Sequence, residues 1–144
     1  MAVSFQVTFD CADPQTLSRF WAELLGYVEQ PPPEGYATWP DWLRDMNIPE
    51  DQWNSAGAVV DPAAAGPRIF FQRVPEGKVV KNRVHLDVNV GGGRGTPLDE
   101  RRRRVDSEAG RAMSLGAREL YRQDERGEYH ITMQDPEGNE FCLQ

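Results

Sequence analysis

Residues 81–90, KNRVHLDVNV, set a histidine and an aspartate two apart in what otherwise reads as an apolar strand. Side chains alternate along a strand, so Val84, Leu86, Val88 and Val90 share one face while His85, Asp87 and Asn89 share the other. The first face calls for a core and the second for something polar. Residues 4–11, SFQVTFDC, have the same design, with Phe5, Val7 and Phe9 against Gln6, Thr8 and Asp10. Two strands of one kind, far apart in the chain, point to a fold built twice.

The segment after each strand strengthens that reading. In ADPQTLSRFWAELLG (12–26), Asp13 can cap a helix, Pro14 suits its first turn, and Leu17, Phe20, Trp21, Leu24 and Leu25 recur at helical spacing before Gly26. After the second strand, GGGRG (91–95) reads as a linker, since it lacks the lysine and serine of a phosphate-binding loop. Thr96 and Asp99 resemble a capping box around Pro97, and Val105, Ala109, Ala112 and Met113 give a helical stripe. ELLGYVEQ (23–30) in the first half matches MSLGAREL (113–120) in the second. PRIFFQRV (67–74) reads as a strand buried on both sides. ARELYR, EYHITMQ and NEFCLQ read as strands, the last two joined by the turn DPEG (135–138).

The expected fold class is therefore α+β: one domain over residues 1–144 made of two strand–helix–strands modules, at about 1–78 and 79–144. Two such modules placed edge to edge would enclose a cavity lined by Gln6, Thr8, Asp10, His85, Asp87, Asn89, Glu140 and Cys142. Residues 39–55, WPDWLRDMNIPEDQWNS, read as a short helical insertion. Trp39, Trp42 and Trp53 serve there either as local core or as apolar walls over a ligand.

Bulk composition excludes several classes. Acidic residues outnumber basic ones by 23 to 16, and the net charge of −7 opposes a nucleic-acid partner. The basic run Arg101 to Arg104 lies among Asp99, Glu100, Asp106 and Glu108 and reads as a solvated helix face. No apolar run approaches the roughly 20 residues of a membrane-spanning helix, and the first ten residues lack the pattern of a secretory signal. The expected location is the cytoplasm, with Cys11 and Cys142 reduced.

Three stretches, DPQTLSRFWAELLGY (13–27), GPRIFFQRVPEGKVVKNRVHLDV (66–88) and MQDPEGNEFCL (133–143), resemble the vicinal oxygen chelate superfamily, in particular its bacterial glyoxalase-like branch. The superfamily includes glyoxalase I, extradiol dioxygenases, methylmalonyl-CoA epimerase and bleomycin-binding resistance proteins. The resemblance implies paired βαβββ modules and a divalent metal ion held by strands of both. It places Gln6 and His85 at ligand positions. Where the family's metal-binding glutamate is expected stands Cys142, with Glu140 on the same face two residues earlier, and RIFFQRV offers no acid for the fourth position.

Two functions are open on these grounds. In one, the protein is a metal-assisted lyase or isomerase acting on a small carbonyl or hydroxyl compound, with Gln6, His85, Glu140 and Cys142 as metal ligands, Glu140 also serving as a catalytic base and Asp87 supporting the ligands or acting as base. The missing carboxylates argue against true glyoxalase I activity. In the other, it is a metal-free binder of a small molecule, like the resistance proteins. Thr8, Asp10, Asn89, Trp39, Trp42 and Trp53 would line the pocket in either case. Residue by residue, His85 also reads as a hydrogen-bonded histidine and Cys142 as a small buried side chain. A third possibility is a partner subunit with a vestigial cavity. The resemblance further implies a homodimer, with modules pairing within one chain or across two.

Overall fold

Strand β1 (Val7–Cys11) opens a computed structural model that describes residues 1–144. After it come α1 (Pro14–Leu25), β2 (Val28–Glu29), α2 (Trp39–Asp45), a 3-10 turn at Glu50–Gln52, β3 (Ala56–Val60) and β4 (Ile69–Arg73). The remaining elements are β5 (Leu86–Val88), α3 (Leu98–Ser114), β6 (Arg118–Glu125), β7 (Glu128–Gln134) and β8 (Glu140–Leu143). The chain divides into two units, Met1–Gly77 and Lys78–Gln144. Each holds one four-stranded mixed sheet, in the orders β1-β4-β3-β2 and β5-β8-β7-β6. In both, the first strand lies parallel to the last and the other pairs are antiparallel. The expected duplication is thus a duplication of topology.

In the first unit, the aromatic residues of α1 meet the sheet. Phe9 stacks on Trp21 and on Phe71, with ring centroids 5.1 and 5.5 Å apart. Leu17, Phe20, Trp21 and Leu24 are buried together with Val59, Ile69 and Phe71. Each such side chain contributes about 1.5–3 kcal/mol by leaving water. Asp13 caps α1: its Oδ1 accepts the Thr16 N–H at 3.2 Å and its Oδ2 the Thr16 hydroxyl at 2.6 Å. Asn54, from the stretch before β3, donates to the same carboxylate at 2.8 Å.

Several expectations need correction. β3 has no counterpart among the expected strands, because Ala56, Gly57 and Ala58 carry too little side chain to show an apolar period. Phe70 is only half-buried, because successive residues of β4 face opposite ways and only Ile69 and Phe71 reach the core. Phe5 and Val84 lie ahead of the paired parts of their strands and are exposed.

In the second unit, α3 buries Val105, Ala109 and Ala112, while Met113 points outward. The Thr96 hydroxyl donates to the Gly92 carbonyl at 2.9 Å instead of capping α3, whose N-cap is Pro97. A side chain at Gly92 would be strained, since φ there is +95° and a Cβ would come within 2.6 Å of Thr96 Oγ1 and Arg104 Nη1, which would have to shift. Three arginines of the run are paired, Arg102 with Asp99 and Asp124 and Arg103 and Arg104 with Glu100, while Arg101 donates to the Gly127 carbonyl at 2.9 Å. β6 and β7 are joined by a tight turn in which Arg126 and Gly127 both have positive φ, 55° and 77°.

Lys78 and Asn82, ahead of β5, are tied to the start of β8. The Glu140 carboxylate accepts the Asn82 N–H at 3.0 Å and pairs with the Lys78 ammonium at 3.2 Å. Burial pushes the Glu140 carboxyl up, but the N–H groups of Asn82 and Glu140 itself, with Lys78, outweigh it and hold the group below its ordinary value.

Two stability measurements check these ties. Asp13→Ala is expected to cost about 1 kcal/mol in urea unfolding at neutral pH. Hydrogen bonds, first that of the Thr16 side chain, hold the Asp13 carboxyl below its ordinary value. Its ionised form therefore stabilises the fold above the usual carboxylate range, and the difference between wild type and variant shrinks as pH falls through that value. Lys78→Met is expected to cost about 2 kcal/mol and to raise the titration midpoint of Glu140, tracked by carboxyl NMR. An unchanged midpoint would mean that the backbone N–H groups alone hold the charge.

Candidate functional site

β5 and β8 run parallel with Asp87 opposite Cys142. On β8, Phe141 and Leu143 are fully buried, and Glu140 and Cys142 take the other face by alternation. His85, one residue before β5, shares a face with Asp87. Its Nε2 lies 3.3 Å from Asp87 Oδ1. The Cys142 Sγ is 3.4 Å from the hydroxyl of Thr132, its partner on β7. One ligating atom from each of His85, Asp87 and Cys142 falls within 4.8 Å of the others.

The three groups differ in exposure, and this sets what each can do. His85 and Asp87 are open to solvent, with side chains 40% and 48% exposed, whereas Cys142 is buried. Burial, and then the Asp87 charge, push the Cys142 thiol up, against the Thr132 hydrogen bond and the Lys81 charge. A thiol there stays protonated at neutral pH unless something cationic replaces the proton.

The donor set fits a divalent cation of borderline softness. Imidazole nitrogen, carboxylate oxygen and thiolate sulfur are the donor types of zinc sites, with bonds of about 2.0–2.3 Å. Ligand atoms gathered this closely need only small side-chain shifts to share one ion. Manganese and magnesium prefer oxygen donors and would leave the thiol unused.

The other candidate residues fall in different places. Glu140 is engaged by Lys78 and Asn82 and is not one of the three grouped donors. Asn89 accepts the Gln144 side-chain amide at 3.0 Å. Gln6, Thr8 and Asp10 belong to the first unit, where Gln6 Oε1 accepts from Arg68 Nη1 at 2.8 Å. Thr8 and Asp10 are exposed on β1 beside Phe70 and Gln72. The roles of Lys78 and Asn82 were not legible, since nothing in KVVKN marks two residues converging on a glutamate some sixty positions later.

The first unit also holds a cavity of about 500 Å³ lined by residues of α1, of the 39–55 segment and of strands β2, β3 and β4. Trp39, Trp42 and Trp53 all line it, with Phe70 and Arg68 of the β4 segment. No residue of α2 or the 3-10 turn is buried in the core, so the insertion's aromatic surface goes to this cavity. Arg68 was missed by the sequence reading. Its signal was its spacing two residues before Phe70, which puts both on one face.

Comparison with known proteins places this geometry in a family. Similar solved structures include a glyoxalase/bleomycin resistance protein/dioxygenase family enzyme from Burkholderia phytofirmans, 17% identical with a TM-score of 0.60, over 96% of this chain and 94% of that one. The fosfomycin resistance protein FosX from Listeria monocytogenes, as a variant complexed with Mn(II) and 1S,2S-dihydroxypropylphosphonic acid, is 14% identical with a TM-score of 0.63, over 100% and 90%. FosX from Mesorhizobium loti is 14% identical with a TM-score of 0.59, over 99% and 91%. At these identities the likeness is one of fold. No curated protein matches the chain in sequence. The family model described as "Glyoxalase-like domain" matches residues 6–144, nearly the whole sequence, and the chain belongs to that family.

Proposed function

We propose that the protein is a metal-assisted lyase or isomerase acting on a small carbonyl or hydroxyl compound, with the ion held by His85, Asp87 and Cys142. The carrying observation is the convergence of these three donors within 4.8 Å. A FosX structure that contains Mn(II) on a similar fold adds support. The thiol donor favours zinc for this chain.

Each residue then has a defined task. His85 supplies a neutral imidazole nitrogen from an accessible position. Cys142 gives up its proton on binding and anchors the cation from the buried side. Asp87, half-exposed between the two, either completes the ligand set or takes a proton from a substrate carbon or hydroxyl. Glu140, whose carboxylate is committed to Lys78 and Asn82, holds the β5 approach segment against β8. When bound, a divalent ion would polarise a carbonyl or hydroxyl oxygen as a Lewis acid. The reading rests on donors of the second unit alone, and Gln6 is not required.

A metal-free binder remains the second reading, favoured by the tryptophan-lined cavity of the first unit. The proposal puts the protein in the cytoplasm, where Cys142 stays reduced. Pairing of two copies belongs to it as well, since Val79, Val80 and Val84 are 91%, 74% and 80% exposed and gain from being covered.

Cobalt(II) is the direct test, as a spectroscopic substitute for zinc. Chelator-treated protein should take up one equivalent per chain and show a thiolate-to-cobalt charge-transfer band in the near ultraviolet. Cys142→Ala should abolish the band and His85→Ala should weaken uptake by at least about tenfold, while Glu140→Gln should leave the band in place. A d–d spectrum without the thiolate band would remove Cys142 from the site, and no uptake would remove the mechanism. Sedimentation velocity should give a dimer mass, shifting to monomer in Val80→Lys/Val84→Lys.

A further inference from the structure

The cavity of the first unit has walls of one kind and a polar end of another. Trp39 and Trp42 meet edge to face, with ring centroids 5.6 Å apart at 89°, and Phe70 lies on the sheet side. The Trp39 indole N–H donates to the Gln30 carbonyl at 2.8 Å and that of Trp53 to the Ile48 carbonyl at 2.9 Å. These bonds fix the rings before any ligand arrives, so little side-chain entropy is lost on binding. A volume of about 500 Å³ lies within the usual range for small-molecule sites. Rigid, flat, apolar walls select a flat apolar body.

Arg68 supplies the charge at the polar end. Its Nε donates to Gln30 Oε1 at 2.6 Å and its Nη1 to Gln6 Oε1 at 2.8 Å, while its guanidinium carbon sits 5.4 Å from the Phe70 ring centroid. Both hydrogen-bond partners are neutral amides, so they orient the cation without neutralising it. A guanidinium has five N–H donors, and these two bonds leave others for an acceptor in the same plane. Glu29 also lines the cavity but is exposed on the two-residue β2, where water screens it.

We propose that this cavity binds a flat aromatic carboxylate, with its ring against Trp39, Trp42 and Phe70 and its carboxylate on Arg68. A planar carboxylate matches the guanidinium fork in a way that a hydroxyl or an ammonium does not. The site uses no residue of the His85 cluster, so it stands or falls independently of the metal-assisted chemistry.

The four tryptophans make the test, because Trp21 is sealed in the core at 1% exposure and serves as an internal reference. Indole N–H signals of the full chain would be tracked by proton–nitrogen NMR during titration with 2-naphthoate, neutral 2-naphthylmethanol and cationic 2-naphthylmethylammonium. Saturable shifts of Trp39, Trp42 and Trp53 are expected, with Trp21 still. 2-Naphthoate should bind about tenfold more tightly than the alcohol, the ordinary margin of a charge-assisted hydrogen bond. Arg68→Met should erase that preference while the alcohol binds as before, and Arg68→Lys should retain part of it. Absence of saturable shifts, tighter binding of the cation, or a preference that survives Arg68→Met would each overturn the proposal. Should Arg68→Met disturb the fold, visible as movement of the Trp21 signal without ligand, the ranking of the three probes on the wild type decides.

Discussion

The parallel pairing of first and last strand within each unit is the constraint on which the rest depends. It sets β5 beside β8 with Asp87 opposite Cys142, although 55 residue positions separate them in the chain. A slip of one residue would bring Phe141 beside Asp87 and turn Cys142 into the core. The register is held by apolar side chains, since Phe141, Leu143, Ile131 and Met133 are fully buried and cannot exchange faces. The chemistry of the polar face is thus secured by the packing of the other.

The two carboxylates near this site have divided roles. Glu140 lies closer to the turn and is drawn into an ion pair and a backbone hydrogen bond, which keep it charged although it is buried. Asp87 faces His85 and remains open to solvent. Where the family resemblance leads one to expect a carboxylate stands a buried thiol, a donor that suits softer ions better than hard ones. Such a replacement is compatible with the fold because Cys142 fits beside Thr132 without a partner of opposite charge.

Much of this was legible in the sequence. The alternation of KNRVHLDVNV and SFQVTFDC showed both opening strands, and Asp13, Pro14 and Gly26 marked the limits of α1. The His85–Asp87 contact arises from two residues on one face of a strand. What escaped was whatever depended on weak side-chain signals or on distant partners. β3 opens in alanine and glycine, the Thr96 hydroxyl donates to the Gly92 carbonyl and accepts no N–H from the start of α3, and Glu140 meets Lys78 and Asn82 across the unit. The likeness to known glyoxalase-like proteins pointed to His85 and Gln6. It had no means of showing that Asp87, and not Glu140, would stand with Cys142.

The tight turn at Arg126 and Gly127 joins the two strands that correspond, in strand order, to β2 and β3. In the first unit the same joint spans residues 30–55 and carries all three cavity tryptophans. Closing a long connection in place of a short one costs only about 2 kcal/mol in chain entropy, because that cost grows with the logarithm of length. The hairpin tip of the second unit can therefore take added sequence at a modest cost in chain entropy. A loop inserted there would have to keep the Gly127 carbonyl in place, because it accepts from Arg101 of α3 at 2.9 Å and ties the hairpin to the helix.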